Sequence, residues 1–350
     1  MSNKIKIISW NARGIRNKKD ELFHLLENRD VDICLICETW LTNTFSIKHQ
    51  NFYCYRYDRQ QGRGGGVAIL VKKNIRHQLL PLINTTLIEN IGIKISTCAD
   101  YINIYSCYFP GGSAGLDQTR NFAFKSDLRK LTSSHSNYVL GGDFNCRHRY
   151  WGCQRSNLWG NILYDKIALN QTQIVFSHEH TYIPADPNKQ PSTLDFYLSN
   201  IPQNMSAVRV INDLSSDHLP ITSTINLRYE VVENQYYAYN NANWRRFSKL
   251  IYRNLPLVDV AEISNTVQVD NMINTFNSTI KMAIDASVPK RITPHSKPFP
   301  NNIKVMIQIR NVYRRNWKRY RDIEDHRQMT RLNKSITKEI AEFRNQSWNN

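Results

Sequence analysis

Apolar positions in the first two thirds of the chain fall in short, nearly unbroken runs. Ile5 to Trp10, Asp32 to Cys37, Val67 to Val71, Ile91 to Ile95, Ile102 to Tyr108, Tyr138 to Leu140, Leu194 to Leu198 and Ile221 to Leu227 stand between turn-forming residues. Runs of this kind predict strands. Two stretches between them have helical spacing instead: Leu22, Leu25 and Leu26 between Lys19 and Arg29, and Phe122, Phe124, Leu128 and Leu131. Many strands with few intervening helices predict an α+β fold built on packed sheets.

Beyond Tyr229 the pattern turns helical. Val269, Met272, Ile273, Phe276, Ile280 and Ile284 form one stripe at steps of mostly three and four. Pro289, Pro294, Pro298 and Pro300 then mark an extended linker. Ile309, Val312, Tyr313, Trp317 and Tyr320 form a second stripe. Met329, Leu332, Ile336, Ile340 and Phe343 form a third, after a break near Asp322 to Asp325. The expected division is a domain over 1–229 and a basic, mostly helical region over 230–350.

Charge sharpens this division. The 350 residues hold 46 Lys and Arg against 29 Asp and Glu, a net charge of +17. Residues 230–350 alone hold 20 basic and 11 acidic side chains, more than half the excess in the shorter segment. A surplus of this size favours a polyanionic partner, nucleic acid first and an anionic membrane surface second. No run approaches the ~18 apolar residues of a membrane span, and Met1 to Trp10 lacks the apolar core of a signal peptide. Seven scattered cysteines do not suit a secreted disulfide framework. An intracellular protein is expected.

The candidate chemistry lies at the ends of the predicted strands. Asn11 follows the first, Glu38 the second and Tyr108 ends Ile102 to Cys107; Gly141-Gly142-Asp143-Phe144-Asn145, Asp195 and Ser216-Asp217-His218 complete the set. Any one of these is ordinarily a turn, cap or salt-bridge residue. Six strand ends that each stop on a group suited to a phosphate or divalent metal make a stronger signal. Asp143 and Asn145, two apart, share one face of an extended segment.

Other motifs carry less. Gly64-Gly65-Gly66 lacks the Gly-Lys-Ser/Thr ending of a P-loop and reads as a tight turn into Val67. Cys34-x-x-Cys37 lies inside an apolar strand without a second ligand pair, so buried structural cysteines are expected. His178-Glu179-His180 is too isolated for a zinc site.

Ile8 to Arg16, Leu35 to Trp40, Gly141 to Asn145, Ser192 to Phe196 and Ser215 to Pro220 resemble, in order, the five signature blocks of the endonuclease/exonuclease/phosphatase superfamily. The resemblance covers 1–229 and implies a four-layered α/β sandwich: two packed mixed sheets flanked by helices. Arg63 to Leu70, Tyr108-Phe109-Pro110 and Asp143 to Gly152 are similar to the blocks of the apurinic-type endonuclease of jockey-like non-LTR retrotransposons. Asn243 to Phe247 and Arg344 to Trp348 resemble the segment linking that nuclease to a reverse transcriptase, which these 350 residues do not include.

The resemblance implies a Mg²⁺-dependent DNA endonuclease, Mn²⁺ being an alternative ion, that leaves a 3′-hydroxyl to prime reverse transcription. Glu38, Asn11 and Asp217 are then the metal-site residues, with Asn11 as ligand orienter or phosphate contact. Asp143 activates water, Asn145 holds water or a phosphate oxygen, and His218, set by Asp195, and Tyr108 contact the scissile phosphate. Ser216, Thr181, Arg147, His148 and Trp151 contact nucleic acid. Many relatives have Gln where Cys37 precedes Glu38. The run from Cys146 to Gly152 differs from repair enzymes, so intact duplex rather than an abasic site is the expected substrate. Double-stranded DNA and retroelement RNA are the implied partners and the nucleus the implied location. A phosphoesterase acting on small molecules or lipids, or a non-catalytic nucleic-acid-binding relic, are the alternatives.

Overall fold

The computed structural model describes residues 4–60, 62–98, 100–112, 118–133, 136–168, 172–231, 235–255, 265–292 and 298–349. In chain order the first part comprises β1 (Ile5–Asn11), α1 (Lys19–Asn28), β2 (Ile33–Cys37), β3 (Phe52–Tyr57), β4 (Val67–Lys72), β5 (His77–Leu79), β6 (Glu89–Ser96) and β7 (Tyr101–Tyr108). It continues with α2 (Gln118–Thr132), β8 (Asn137–Asp143), α3 (Leu158–Ala168), β9 (Gln173–Val175), β10 (Asp195–Ser199), β11 (Arg209–Val210) and β12 (Ile221–Ile225). Two six-stranded sheets result, ordered β11-β12-β1-β2-β4-β3 and β5-β6-β7-β8-β10-β9.

The unbroken apolar runs follow from burial on both faces of each sheet. Ile5, Ile7, Ile33, Leu35, Val67 and Ile69 point between the sheets, where they meet Ile93, Ile95, Ile102, Ile104 and Val139. The alternate residues Ile8, Trp10, Cys34 and Ile36 pack beneath Leu22, Leu25 and Leu26 of α1. On the second sheet Cys107, Leu140, Phe196 and Leu198 pack beneath Phe124 and Leu128 of α2 and Trp159 and Leu163 of α3. The four layers are helix, sheet, sheet and helix, as expected. Of the predicted stripe on α2, Phe122 is exposed, while Asp127, outside that stripe, is buried. The carboxylate of Asp127 accepts hydrogen bonds from the backbone N–H groups of Thr86, Leu87 and Ile88.

The two sheets repeat one plan. In each, a parallel pair joined by a crossover helix, β1-α1-β2 or β7-α2-β8, has antiparallel neighbours on both sides. Such an arrangement brings the carboxyl ends of the parallel strands and the amino ends of the antiparallel ones to a single edge. Asn11 and Cys37 are paired there, as are Tyr108 and Asp143, and Asp143 and Asp195.

The region beyond Tyr229 differs from expectation. Residues 233–294 form a unit of their own, whereas 295–350 belong to one compact unit with 1–232. The smaller unit holds the antiparallel pair β13 (Gln235–Tyr237) and β14 (Lys290–Ile292) and helices α4 (Trp244–Asn254) and α5 (Thr266–Ser287). On α5 the predicted stripe is largely exposed at Val269, Ile273 and Phe276, and the buried residues are Thr279, Ala283 and Ser287. Of the proline linker, Pro294 lies outside the described residues.

Helices α6 (Asn301–Tyr320) and α7 (Ile323–Asn349) pair through Phe299, Ile303, Ile307, Ile336 and Ile340. The third stripe holds; of the second, Trp317 is buried as expected but the rest is largely out of phase. Ile309, Val312 and Tyr320 are exposed, while Ile303, Ile307, Arg310, Arg314 and Trp317 form the buried face. Arg310 donates to Glu21 of α1 at 2.5 Å and to Asp213 at 2.7 Å, and Arg314 donates to the backbone carbonyl of Asp213 at 2.5 Å. Trp317 packs on Ile183 and Leu219. Two arginines occupy positions that an apolar-inside rule reserves for hydrophobic residues; the carboxylate partners of Arg310 explain why its burial is tolerated, while Arg314 is held by one carbonyl. Among the described residues no helix is long and apolar enough to cross a membrane.

Candidate active site

At the shared sheet edge the backbone is unusually constrained. A Cβ on Gly142 would lie 1.8 Å from the Cys107 carbonyl oxygen, so only glycine lets β8 approach β7 and deliver Asp143 to the edge. Arg13, Glu38, Trp40 and Asn145 have positive φ, four of the seven such non-glycine residues among those described. Strained conformations persist where surrounding structure over-determines them, often at functional sites.

Asn11 sits between the two sheets' acids. Its Nδ2 donates to Glu38 Oε1 at 2.9 Å and to Asp143 Oδ2 at 2.8 Å, while its Oδ1 accepts from the Arg13 backbone N–H at 3.1 Å. Its amide oxygen is therefore engaged away from Glu38, and its amide nitrogen links Glu38 to Asp143. Glu38 also accepts from the Tyr108 hydroxyl at 3.0 Å and from Trp40 Nε1 at 3.0 Å. Burial and the adjacent Glu38 push the Tyr108 phenol far above its ordinary pKa, so it stays a neutral donor.

Asp143 and His218 face one another across the edge. His218 Nδ1 lies 2.8 Å from Asp195 Oδ2, and its Nε2 lies 3.8 Å from Asp143 Oδ2. Burial alone would lower the pKa of His218, but Asp195 and Asp143 outweigh it and raise it to about 10. Burial raises the pKa of Asp143 to about 7 against the opposing pull of His218. Asn145 closes the group: its backbone N–H donates to Asp143 Oδ1 at 2.9 Å, and its Nδ2 donates to the Phe109 carbonyl at 2.9 Å. The neighbouring carboxylates thus favour the protonated imidazole, and burial favours the protonated form of Asp143.

Several predicted residues serve this edge differently from expectation. Thr181 is fully buried, donates to Asp195 Oδ2 at 2.7 Å and accepts from the backbone N–H groups of Leu194 and Asp195. It positions Asp195 and has no surface for a phosphate. Trp151 is also fully buried, donating to the Cys146 carbonyl and packing near Phe196, so it offers no face to nucleic acid. His148 is partly buried and stacks on Tyr164 at 4.4 Å, while Arg147 is exposed. The Ser216 hydroxyl donates to the Asn11 carbonyl at 2.9 Å, tying two signature blocks together. Asp217 forms an ion pair with Arg13 rather than standing ready for a metal.

Three neighbours escaped the sequence reading. Arg13 pairs with Asp217, Trp40 binds Glu38 while keeping an exposed ring, and the Tyr182 ring lies 4.8 Å from that of His218. Arg13 and Trp40 stand within the quoted blocks, which was the available signal. Tyr182 stands in none. Cys34 and Cys37 are buried free thiols, and Cys37 Sγ donates to the Cys107 carbonyl at 3.1 Å.

A divalent ion fits the donor chemistry. Glu38 receives three neutral donors, and among the described residues no cationic side chain forms an ion pair with it. Asp195 Oδ1 is buried without a partner. Asp143, Asp195 and His218 also bring ligand atoms within 4.8 Å of one another, but the bond between Asp195 and His218 already occupies two of them. Glu38 is only partly buried, whereas Asp143, Asp195 and His218 are buried.

Comparison with known proteins agrees with this geometry. The model of the Endonuclease/Exonuclease/phosphatase family matches residues 8–218. The chain is 26% identical over 344 residues to the RNA-directed DNA polymerase from mobile element jockey of Drosophila melanogaster, covering 96% of this chain and 37% of that protein. It is 29% identical over 227 residues to the probable RNA-directed DNA polymerase from transposon BS of the same species, covering 64% and 24%. The chain therefore spans about a quarter to a third of these relatives' length. The endonuclease domain of TRAS1, a telomere-specific non-LTR retrotransposon, has a similar fold with a TM-score of 0.52 at 20% identity, covering 64% of this chain and 99% of that domain. With its five blocks gathered at one sheet edge and a family match across most of the two-sheet unit, this chain belongs to the Endonuclease/Exonuclease/phosphatase family.

Proposed function

We propose that this chain is a divalent-metal-dependent DNA endonuclease that nicks one strand of intact duplex and leaves a 3′-hydroxyl. The reading rests on one arrangement: His218 held by Asp195 and set 3.8 Å from Asp143, with Asn11 bridging Asp143 to Glu38. Mg²⁺ or Mn²⁺ beside Glu38 would supply charge compensation at the phosphate and at the departing oxygen.

The chain's own groups supply the rest. Asp143 takes the proton of the attacking water, its raised pKa making it a base matched to neutral pH. Asn145 and Asn11 fix that carboxylate and the water. His218, kept protonated by its two carboxylates, donates to a non-bridging phosphate oxygen where negative charge grows. Asp195 selects the tautomer and orientation, with Thr181 fixing Asp195. Tyr108 orients Glu38 through its hydroxyl.

The +17 charge supports a long polyanion over a small phosphoester. Exposed Arg147 and partly exposed His148 beside Asn145 are proposed phosphate contacts. The matching relatives support a role in retroelement insertion, in which the 3′-hydroxyl primes reverse transcription in the nucleus and element RNA is a second partner. Supercoiled plasmid incubated with Mg²⁺ and then with EDTA tests the reading. Metal-dependent conversion to open circles is expected, and no conversion with either Mg²⁺ or Mn²⁺ would overturn it.

A further inference from the structure

The α6–α7 hairpin builds a wall onto the active-site edge. A cleft of about 330 Å³ is lined on one side by Arg13, Lys18, Trp40 and Asp217, and on the other by Arg314 and Thr330 of the hairpin. Asp217, which lines the cleft, directly precedes His218 in the chain. Three cations face one carboxylate there, and Arg13 already pairs with that carboxylate.

Arg314 is the singular member. It is 97% withdrawn from solvent, being 3% exposed, and its Nη1 donates to the Asp213 carbonyl. Its Nη2 is buried with no hydrogen-bond partner. A guanidinium nitrogen left in this state is costly, and an anion is the partner that best relieves it. Lys18 is similarly placed: its Nζ donates only to the backbone carbonyls of Ala12 and Arg13 among the described contacts. Burial lowers the pKa of Lys18 to about 8, and burial with the neighbouring Arg310 lowers that of Arg314 to about 9. Both cations are thus held in a state that bound negative charge would stabilise. The exposed Trp40 ring at the rim offers a sugar or base a stacking surface.

We propose that this cleft is a subsite for a DNA backbone phosphate flanking the scissile one, and that the hairpin completes it through Arg314. The inference rests on the endonuclease reading for its substrate class. It adds that helices beyond the matched family region form part of the substrate-binding surface.

The test measures binding of a 30-base-pair duplex in EDTA, by fluorescence anisotropy at several salt concentrations, so no cleavage enters. Three 350-residue proteins are compared: wild type, Arg314→Met and Thr330→Glu. Thr330 is exposed and lines the cleft on the same hairpin as Arg314, so its replacement adds a carboxylate to the cleft while leaving the arginine's bond to Asp213 in place. Each variant should bind about tenfold more weakly, irrespective of sequence. The slope of log affinity against log salt should fall by about 0.9, the value of one phosphate contact. Should Arg314→Met fail to fold, Thr330→Glu carries the test alone. Wild-type affinity and slope in folded Thr330→Glu would overturn the subsite. Absence of plasmid nicking by wild type would instead sink the endonuclease reading, so the two failures are distinguishable.

Discussion

Arg310 and His218 are both buried cations set against two carboxylates, yet their surroundings differ in one respect. Arg310 meets Glu21 through Nη1 and Asp213 through Nη2, and its Nε donates to Asn311, so every nitrogen has a partner. His218 has Asp195 at bonding distance and Asp143 beyond it at 3.8 Å, and a buried oxygen of Asp195 is unpartnered. Full satisfaction makes a staple that fixes the hairpin to the first sheet's helix. Partial satisfaction leaves capacity for a substrate oxygen, a proton or an ion. A buried charge is costly in either place, but only at the sheet edge is its completion left to a ligand.

This contrast can be broken most forcefully at Asp195. Asp195→Asn should lower plasmid nicking by about 10⁴-fold, as in triads where the wrong imidazole tautomer is selected. The melting temperature should stay within several degrees of wild type; a rate within tenfold of wild type would remove Asp195 from the mechanism. Arg310→Ala should do the converse. Leaving Glu21 and Asp213 without their cation costs about 3 to 5 kcal/mol, read by urea unfolding. Removal of residues 301–350 should cost more, because it also uncovers Leu219 and Ile183.

The third prediction concerns pH, in EDTA. The folded pKa of His218 is raised, so its stabilisation is complete below about 6.5 and is lost as pH climbs through about 10. The folded pKa of Asp143 is raised too, which for a carboxylate means that stability declines as pH rises from about 4 through about 7. Melting temperatures should therefore fall by a few degrees across each window. Asp143→Asn should flatten the acidic window and His218→Ala the alkaline one. Parallel curves for all three proteins would show that neither group is held as described.

The sequence revealed what double-sided burial writes plainly. Central strands β1, β2, β4, β7, β8 and β10 are continuous apolar runs because both faces are covered, whereas β3, β5, β9 and β11 escaped notice as short or half-exposed strands at or near sheet margins. The edge residues were legible because strand ends stop on them. Which of them touch was not, since the Asn11 bridge joins residues 132 positions apart. Trp151 and Thr181 were misplaced for a related reason. An aromatic or hydroxyl near a catalytic block reads as a ligand contact until its burial is known. In α6 the apolar stripe misled because Arg310 and Arg314 point inward, Arg310 onto carboxylates and Arg314 onto a backbone carbonyl supplied by distant segments.

The most direct measurement sets the two buried cations against each other. Nicking of supercoiled plasmid with Mg²⁺ is measured for His218→Ala and Arg310→Met, per folded molecule, at a temperature where circular dichroism finds both folded. The account predicts that His218→Ala loses about 10³-fold or more and that Arg310→Met stays within about threefold of wild type while melting earlier. Comparable nicking by His218→Ala and wild type, or a loss in Arg310→Met as large as that in His218→Ala, would contradict it.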